Sequence, residues 1–255
     1  MPEFKDRTII ITGAGRGIGA AAARRFAAAG GKVAVFDRDQ PAAERTVGEI
    51  RAGDGTARFY ACDITDRASV EAAVAATEAE LGPIAVLVNN AGWDVFRPFL
   101  QTNPADWEHL IAVNLVGALH MHHVVLPSMV ARKNGRIVNV ASDAARVGSS
   151  GEAVYAACKA GLVVLSKTLA REHARDGITV NVVCPGPTAT ALFEDFKKGA
   201  NNPEKLVEAF RRSIPLGRIA EPEDVSGAIV FFASDAARYV TGQVLSVSGG
   251  LTMAG

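Results

Sequence analysis

Tyr155 and Lys159 stand four positions apart in a segment with helical spacing, so both side chains share one helix face, a turn apart. A phenol titrates at about pH 10 when nothing perturbs it, and a neighbouring ammonium favours the phenolate. The pair therefore has the makings of a proton-transfer site, with Tyr155 giving or taking a proton and Lys159 supplying the cation. Ser142, thirteen residues before Tyr155, closes a predicted strand; its hydroxyl could reach the same substrate oxygen or serve only as a helix or turn cap. Tyr-x-x-x-Lys spacing is frequent on solvated helix faces, so the rest of the chain decides what it means.

A second signal lies near the N-terminus, where Thr12-Gly13-Ala14-Gly15-Arg16-Gly17-Ile18-Gly19 joins a β-branched run to an Ala-rich one. Such a turn lets backbone approach a pyrophosphate and sets its charge at a helix N-terminus, although glycines can also do no more than make a tight turn. Asp37 ends the next strand, eighteen residues after Gly19. A carboxylate there accepts hydrogen bonds from ribose hydroxyls and repels a 2′-phosphate, which predicts NAD over NADP. Arg16 and Arg38 could soften that repulsion or could be exposed arginines with no cofactor role.

These residues need a scaffold. Thr8 to Thr12, Lys32 to Asp37, Ala57 to Ala61, Ile84 to Asn89, Arg136 to Ser142, Thr179 to Cys184 and Gln243 to Val247 read as strands. Gly17 to Ala29, Gln40 to Ala52, Arg67 to Leu81, Pro104 to Arg132 and Val154 to Asp176 are long enough for crossover helices. The alternation predicts an α/β fold, a Rossmann-type doubly wound, seven-stranded and mostly parallel sheet with helices on both faces, in one domain over 1–255. Residues 189–219 break the rhythm, with a helical stretch at Glu204 to Arg212 after Gly199-Ala200-Asn201-Asn202-Pro203, and are expected to form a substrate lid rather than an idle surface excursion.

Composition narrows the partners. The 27 basic and 27 acidic residues cancel, which argues against an extended nucleic-acid or anionic-membrane surface and for small molecules. Met1 to Arg7 is polar and lacks the apolar stretch of a signal peptide, so a cytoplasmic protein without a membrane anchor is expected. Cys62, Cys158 and Cys184 are far apart and read as reduced thiols. His120, His122 and His123 sit in an apolar helix candidate with no carboxylate or cysteine at ligand spacing, so packed or interface histidines are expected and no metal.

The order and spacing of Thr12-Gly-x-x-x-Gly17-x-Gly19, Cys62-Asp63-Ile64, Asn89-Asn90-Ala91-Gly92, Asn114, Ser142, Tyr155-x-x-x-Lys159 and Pro185-Gly186-x-x-x-Thr190 resemble the short-chain dehydrogenase/reductase family over essentially the whole chain. The resemblance implies a nicotinamide-dependent oxidoreductase. Asp63 and Ile64 would flank the adenine, Asn90, Ala91 and Gly92 would back the cofactor, and Pro185, Gly186, Thr188 and Thr190 would hold the nicotinamide. Gly13, Arg16, Gly17, Ile18 and Gly19 would meet the cofactor's phosphate end, and Tyr155 and Lys159 would touch it as well as the substrate. Asn114 would hold a proton-relay water near Lys159. Cys158 and Pro187-Thr188 depart from the residues usual there without removing a catalytic group. A symmetric homotetramer is also implied.

Longer segments around Trp93, His120, Tyr155 and Cys184 resemble members acting on alicyclic thioesters. They imply NAD-dependent oxidation of a cyclic 3-hydroxyacyl-CoA-type alcohol, 2-hydroxycyclohexane-1-carboxyl-CoA. A 3-oxoacyl-thioester (ACP or CoA) reductase is the alternative, and a catalytically inactive dinucleotide-binding regulator a more remote one. Trp93 and Phe96 would offer apolar area for a ring beside Asp94, and Arg146 would meet a CoA phosphate or thioester oxygen. Equally, Trp93 could pack beneath the lid and Arg146 could pair with Glu152.

Overall fold

The computed structural model describes residues 3–198 and 202–254. Its first half runs β1 (Thr8–Thr12), α1 (Gly17–Ala28), β2 (Lys32–Asp37), α2 (Gln40–Ala52), β3 (Thr56–Ala61), α3 (Arg67–Leu81) and β4 (Ile84–Asn89). After α4 (Pro104–Ile111) and a π-helical turn at Ala112–Val116 come α5 (Gly117–Arg132), β5 (Gly135–Val140), α6 (Ala144–Val147), α7 (Ala153–His173) and β6 (Ile178–Pro185). The chain continues through α8 (Ala191–Lys198), α9 (Pro203–Ser213), α10 (Pro222–Ala233) and β7 (Val244–Val247).

The strands form one seven-stranded sheet in the order β3-β2-β1-β4-β5-β6-β7, and every pairing is parallel. Period-two alternation divides the core between the two faces. Ile9 and Ile11 of β1 join α1, α2 and α10 through Phe26, Val47 and Ile229, whereas Ile10 joins α3, α5 and α7 through Val74, Met121 and Ala170. Strand order reverses between β1 and β4, and that switch point is where ligands enter doubly wound sheets.

Three local departures from the sequence pattern have physical causes. β5 ends at Val140 rather than Ser142, because the Ser142 Oγ accepts the Ala144 N–H and turns the chain into α6. The single helix expected over 104–132 is interrupted by the π-helical turn, a wider winding that is found mostly at functional sites. α10 was not among the predicted helices; Pro222 at its start and the reciprocal Glu221–Asp224 capping box are its N-terminal signals. The helix interruption expected at Gly199 to Pro203 falls largely outside the described residues. Pro104–Arg132 and Ala153–Asp176 are long and apolar enough to cross a membrane by length and composition alone, and in this fold α5 and α7 both pack against the sheet.

Candidate active site

The loops that follow β1 and β4 are built against each other. The Asn90 Nδ2 donates to the Thr12 carbonyl (3.0 Å) and the Gly13 carbonyl (3.1 Å), while Thr12 Oγ1 accepts the Asn90 and Ala91 N–H groups at 3.0 Å each. Gly19, in the first turn of α1, lies so close to this knot that a Cβ would fall 2.6 Å from Asn90 Nδ2, and only glycine fits. Gly17 has a φ of +55°, which L side chains rarely adopt. α1 begins with no side-chain cap and no acidic residue in its first turn, so its free N–H groups suit an anion. These features fit a dinucleotide pyrophosphate.

Asp37 faces the same turn. Its Oδ2 accepts the Gly15 N–H (2.9 Å) and its Oδ1 accepts the Asp39 N–H (3.0 Å), so the carboxylate orders the loop and keeps acceptor capacity on both oxygens. Arg16 is exposed and lies 3.8 Å from Asp39, while Arg38 adds its charge to the influences that hold the Asp63 carboxyl low, behind the hydrogen bonds from Thr65. Ile64 is buried, its side chain filling the notch left by Gly117, so it offers a ligand main chain more than apolar surface. From the far half of the chain, Thr190 reaches Gly17: a methyl on Gly17 would fall 3.2 Å from the Thr190 Cγ2. Thr190 also accepts the Phe193 N–H at the start of α8, and Thr188 donates to the Gly186 carbonyl (2.9 Å). The Pro185 carbonyl accepts the Asp143 N–H (2.9 Å), tying β6 to the segment after Ser142.

The four residues expected to act on substrate converge beyond β4 and β5. Lys159 is buried, donates to the Val140 carbonyl (3.0 Å) and places its Nζ 5.6 Å from the centre of the Tyr155 ring. Burial pushes Lys159 down to about 8, and the nearby Cys158, Cys184 and Asp94 oppose that fall. A methyl on Gly92 would lie 3.1 Å from Asn114 Oδ1 and 3.3 Å from Lys159 Nζ, which brings those two side chains to one spot. Asn114, inside the π-helical turn, uses both amide hydrogens on the Trp93 carbonyl (2.7 Å) and the Leu110 carbonyl (3.0 Å), and its Oδ1 accepts the Trp93 N–H (3.2 Å). A relay water would therefore meet the Asn114 main chain or the remaining Oδ1 lone pair, not its amide nitrogen.

Tyr155 is raised above its ordinary value in this chain: burial acts first, then the carboxyls of Asp94 and Glu152, while a hydrogen bond with Ser142 lowers it. Trp93, Val95, Val154 and Ala156 pack around Leu110, Ala144 and Tyr155, and the Trp93 indole meets the His109 ring edge-on at 4.5 Å. Asp94 is pushed up to about 8, by burial first and then by the charge of, and a hydrogen bond with, Glu152. Sequence reasoning missed this carboxyl pair. The signal was there, since Glu152 precedes Tyr155 by three positions and so comes round to the same side at the mouth of α7.

Arg146 corrects an expectation. Its Nη1 donates to Ser246 Oγ (2.9 Å) and its Nη2 to the Ala254 carbonyl, so its guanidinium latches the C-terminal segment rather than pairing with Glu152. Ser246 in turn donates to the buried Asp143 (2.6 Å). A cavity of about 630 Å³ lies between α8, α9 and the 218–224 segment, lined by residues such as Phe193, Lys197, Arg211 and Glu223. None of the four convergent residues lines it.

Beneath the site, β4 and β5 are joined by a buried polar network. The Asn89 Nδ2 donates to Asn139 Oδ1 (2.8 Å), the Asn139 Nδ2 donates to Ser166 Oγ (2.8 Å), and His122 Nε2 lies 3.2 Å from the Asn139 amide nitrogen. Burial holds His122 down at about 4. His120 contacts the Ile64 carbonyl and His123 faces Arg67, so the three histidines point to three different neighbours. The three cysteines are buried free thiols.

Comparison with known proteins agrees with this geometry. The family model described as enoyl-(acyl carrier protein) reductase matches residues 13–252. A 2-(S)-hydroxypropyl-CoM dehydrogenase of Xanthobacter autotrophicus is 37% identical over 98% of this chain and 98% of its own length. The 3-oxoacyl-[acyl-carrier-protein] reductase FabG of Thermotoga maritima is 38% identical over 98% and 100%, and an acetoacetyl-CoA reductase of Shinella zoogloeoides 39% identical over 96% and 98%. The crystal structure of levodione reductase superposes with a TM-score of 0.92 at 34% identity, covering 97% of this chain and 98% of that one.

Proposed function

Because the chain belongs to the short-chain dehydrogenase/reductase family, whose members act on CH–OH and keto groups, we propose that it oxidises 2-hydroxycyclohexane-1-carboxyl-CoA to the ketone with NAD. The observation that carries the substrate reading is that Trp93, Val95 and Leu110 share one apolar cluster with Tyr155, which suits a saturated ring whose hydroxyl meets the phenol. The segments around this cluster are those that resemble enzymes of alicyclic acid degradation, in particular 2-hydroxycyclohexanecarboxyl-CoA dehydrogenase.

The bound cofactor supplies the carbon that accepts hydride from the carbinol carbon. The chain does the rest. The Gly13–Gly19 turn and Asp37 fix the adenosine end, Asn90 to Gly92 and Pro185 to Thr190 orient the other, and Lys159 steadies the intervening ribose. Tyr155 takes the hydroxyl proton while Ser142 polarises the same oxygen, so geometry and proton path arrive together. Asp37 favours NAD. The 189–219 segment closes over the substrate as a lid, and the chain works as a cytoplasmic homotetramer.

A second reading has its own support: FabG and the acetoacetyl-CoA reductase are about as similar to this chain as any relative reported above, which favours reduction of a linear 3-oxoacyl thioester. Steady-state assays with purified protein separate the two. The cyclic thioester is expected to give a higher kcat/KM with NAD than 3-hydroxybutyryl-CoA does. A linear substrate with the higher value moves the assignment to the reductase.

A further inference from the structure

Ser142 sits on a turn that two strands hold by different means. β6 holds it through the main chain: the Ala141 N–H donates to the Val183 carbonyl (2.8 Å) and the Asp143 N–H to the Pro185 carbonyl (2.9 Å). β7 holds it through side chains. Ser246 Oγ donates to Asp143 Oδ1 (2.6 Å) and accepts from Arg146 Nη1 (2.9 Å), so one hydroxyl stands between a carboxyl group and a guanidinium that both belong to the turn. Asp143 is buried, and a buried acid is costly unless it is hydrogen-bonded and has a cation within reach. Ser246 supplies the bond, and Arg146 lies one hydroxyl further on.

The far side of this clamp is itself anchored. Arg146 Nη2 donates to the Ala254 carbonyl, and the segment leading there is folded on itself, with Ser248 accepting the Leu251 N–H on its carbonyl and the Thr252 N–H on its hydroxyl, each at 3.2 Å. The Gly249 carbonyl accepts the Leu216 N–H (3.0 Å), and the Val247 carbonyl accepts the Gly186 N–H (3.0 Å). Gly186 packs so closely here that a Cβ would fall 2.8 Å from the Ser248 Cβ. The planar fork of one arginine therefore joins α6 to two points a hundred or more residues away, both set in fixed structure.

The Ser142 hydroxyl needs such a hold. Its oxygen accepts the Ala144 N–H (3.1 Å), so the turn that follows draws it away from the substrate side unless the main chain is fixed. Hydrogen bonds weaken steeply with distance and angle, and a shift of about 1 Å in a group that meets the reacting atoms can cost up to a hundredfold in rate. We propose, on the reading of Ser142 as the group that polarises the substrate oxygen, that Asp143, Ser246 and Arg146 are its positioning residues. They fix the turn against β7 and so fix the Ser142 hydroxyl against that oxygen, whichever thioester is bound.

Ser246→Ala is the mildest test, since it removes one hydroxyl from the clamp and leaves both charged groups in place. With the better of the two thioesters compared above, kcat should fall about tenfold while NAD affinity stays within about twofold, and Ser246→Thr, which restores the hydroxyl, should recover most of the loss. Arg146→Lys keeps the cation without the fork and should show the same split to a smaller degree. In a Ser142→Ala background the Ser246→Ala change should cost less than about twofold, because the group it positions is already gone. Full kcat in both Ser246→Ala and Arg146→Lys overturns the positioning role, as does a loss of NAD affinity in step with kcat or an undiminished tenfold loss in the Ser142→Ala background. A Ser142→Ala enzyme with wild-type kcat is a separate result: it overturns the reading of Ser142, and the clamp's role with it.

Discussion

The two ends of the site are made of different material. At the cofactor end the contacts come from backbone and small residues: the Thr12–Asn90 knot, the uncapped start of α1 and a glycine that nothing larger replaces. At the substrate end they come from side chains on loops: Asn114 holds the Trp93 main chain, the Val95 N–H holds Asp94, and the loops carrying Asp94 and Glu152 meet through the Arg97–Gly151 main-chain hydrogen bond and the Phe96 ring beside Gly151. Backbone sites are set by the turn geometry of a β-α unit and serve any substrate; loop side chains can change without disturbing the sheet. The difference teaches why relatives of one family carry names that span acyl thioesters and a coenzyme M conjugate.

The sharpest way to separate the ends is to remove one oxygen. Tyr155→Phe keeps the ring in its apolar cluster and loses only the group that handles the proton, so kcat should fall by about a thousandfold or more while NAD affinity stays within a few-fold. Lys159→Ala should damage both, because the same ammonium that stands 5.6 Å from the phenol ring is expected to hold the cofactor. Cofactor titration beside steady-state kinetics reads the two effects separately. Near-normal kcat in Tyr155→Phe would remove the phenol from the mechanism.

The buried polar network that joins β4 and β5 beneath the site carries a pH signature through His122. His122 is fully buried, and its folded value of about 4 lies below the unfolded value of about 6.5. The unfolded chain therefore binds a proton that the folded chain refuses. The stability this histidine contributes is complete above pH 6.5 and is lost as pH falls toward 4, by about 3 kcal/mol over that interval. Urea melts across this range should show a shallower pH slope for His122→Gln, which keeps an acceptor and does not titrate. Parallel slopes would mean that the imidazole escapes its burial by local rearrangement.

Legibility in the sequence follows the same division. Strand and helix positions were readable because parallel strands buried on both faces are continuous apolar runs, and the glycine-rich turn was readable because φ and close approach restrict residue type. The π-helical turn at Asn114 was not, since nothing in an apolar helical run marks where one extra residue enters a turn. Nor was the destination of Arg146, whose partners Ser246 and Ala254 are a hundred or more residues away in the chain. Asp94 was named as a substrate contact, but its partner depends on how two loops dock, which spacing alone does not encode.

The smallest expected effect concerns cofactor choice, and it tests whether the backbone-built end has a side-chain selectivity of its own. Asp37 already accepts two loop N–H groups, so its carboxylate is anchored where a ribose diol would add further bonds and a 2′-phosphate would meet like charge. The cations that could reverse this are partly answered by their own neighbours, Arg16 by Asp39 at 3.8 Å and Arg38 by the Asp63 carboxyl. NAD should therefore give the higher kcat/KM. Asp37→Asn removes the charge but keeps one carbonyl acceptor for the loop, and should narrow the NAD over NADP preference by about tenfold, most of it through improved NADP. Asp39→Asn, which releases Arg16, should narrow it by less, because that pair is exposed and screened. Equal use of both cofactors by the wild-type enzyme would show that the two arginines outweigh Asp37, and that even this end takes its specificity from mobile side chains.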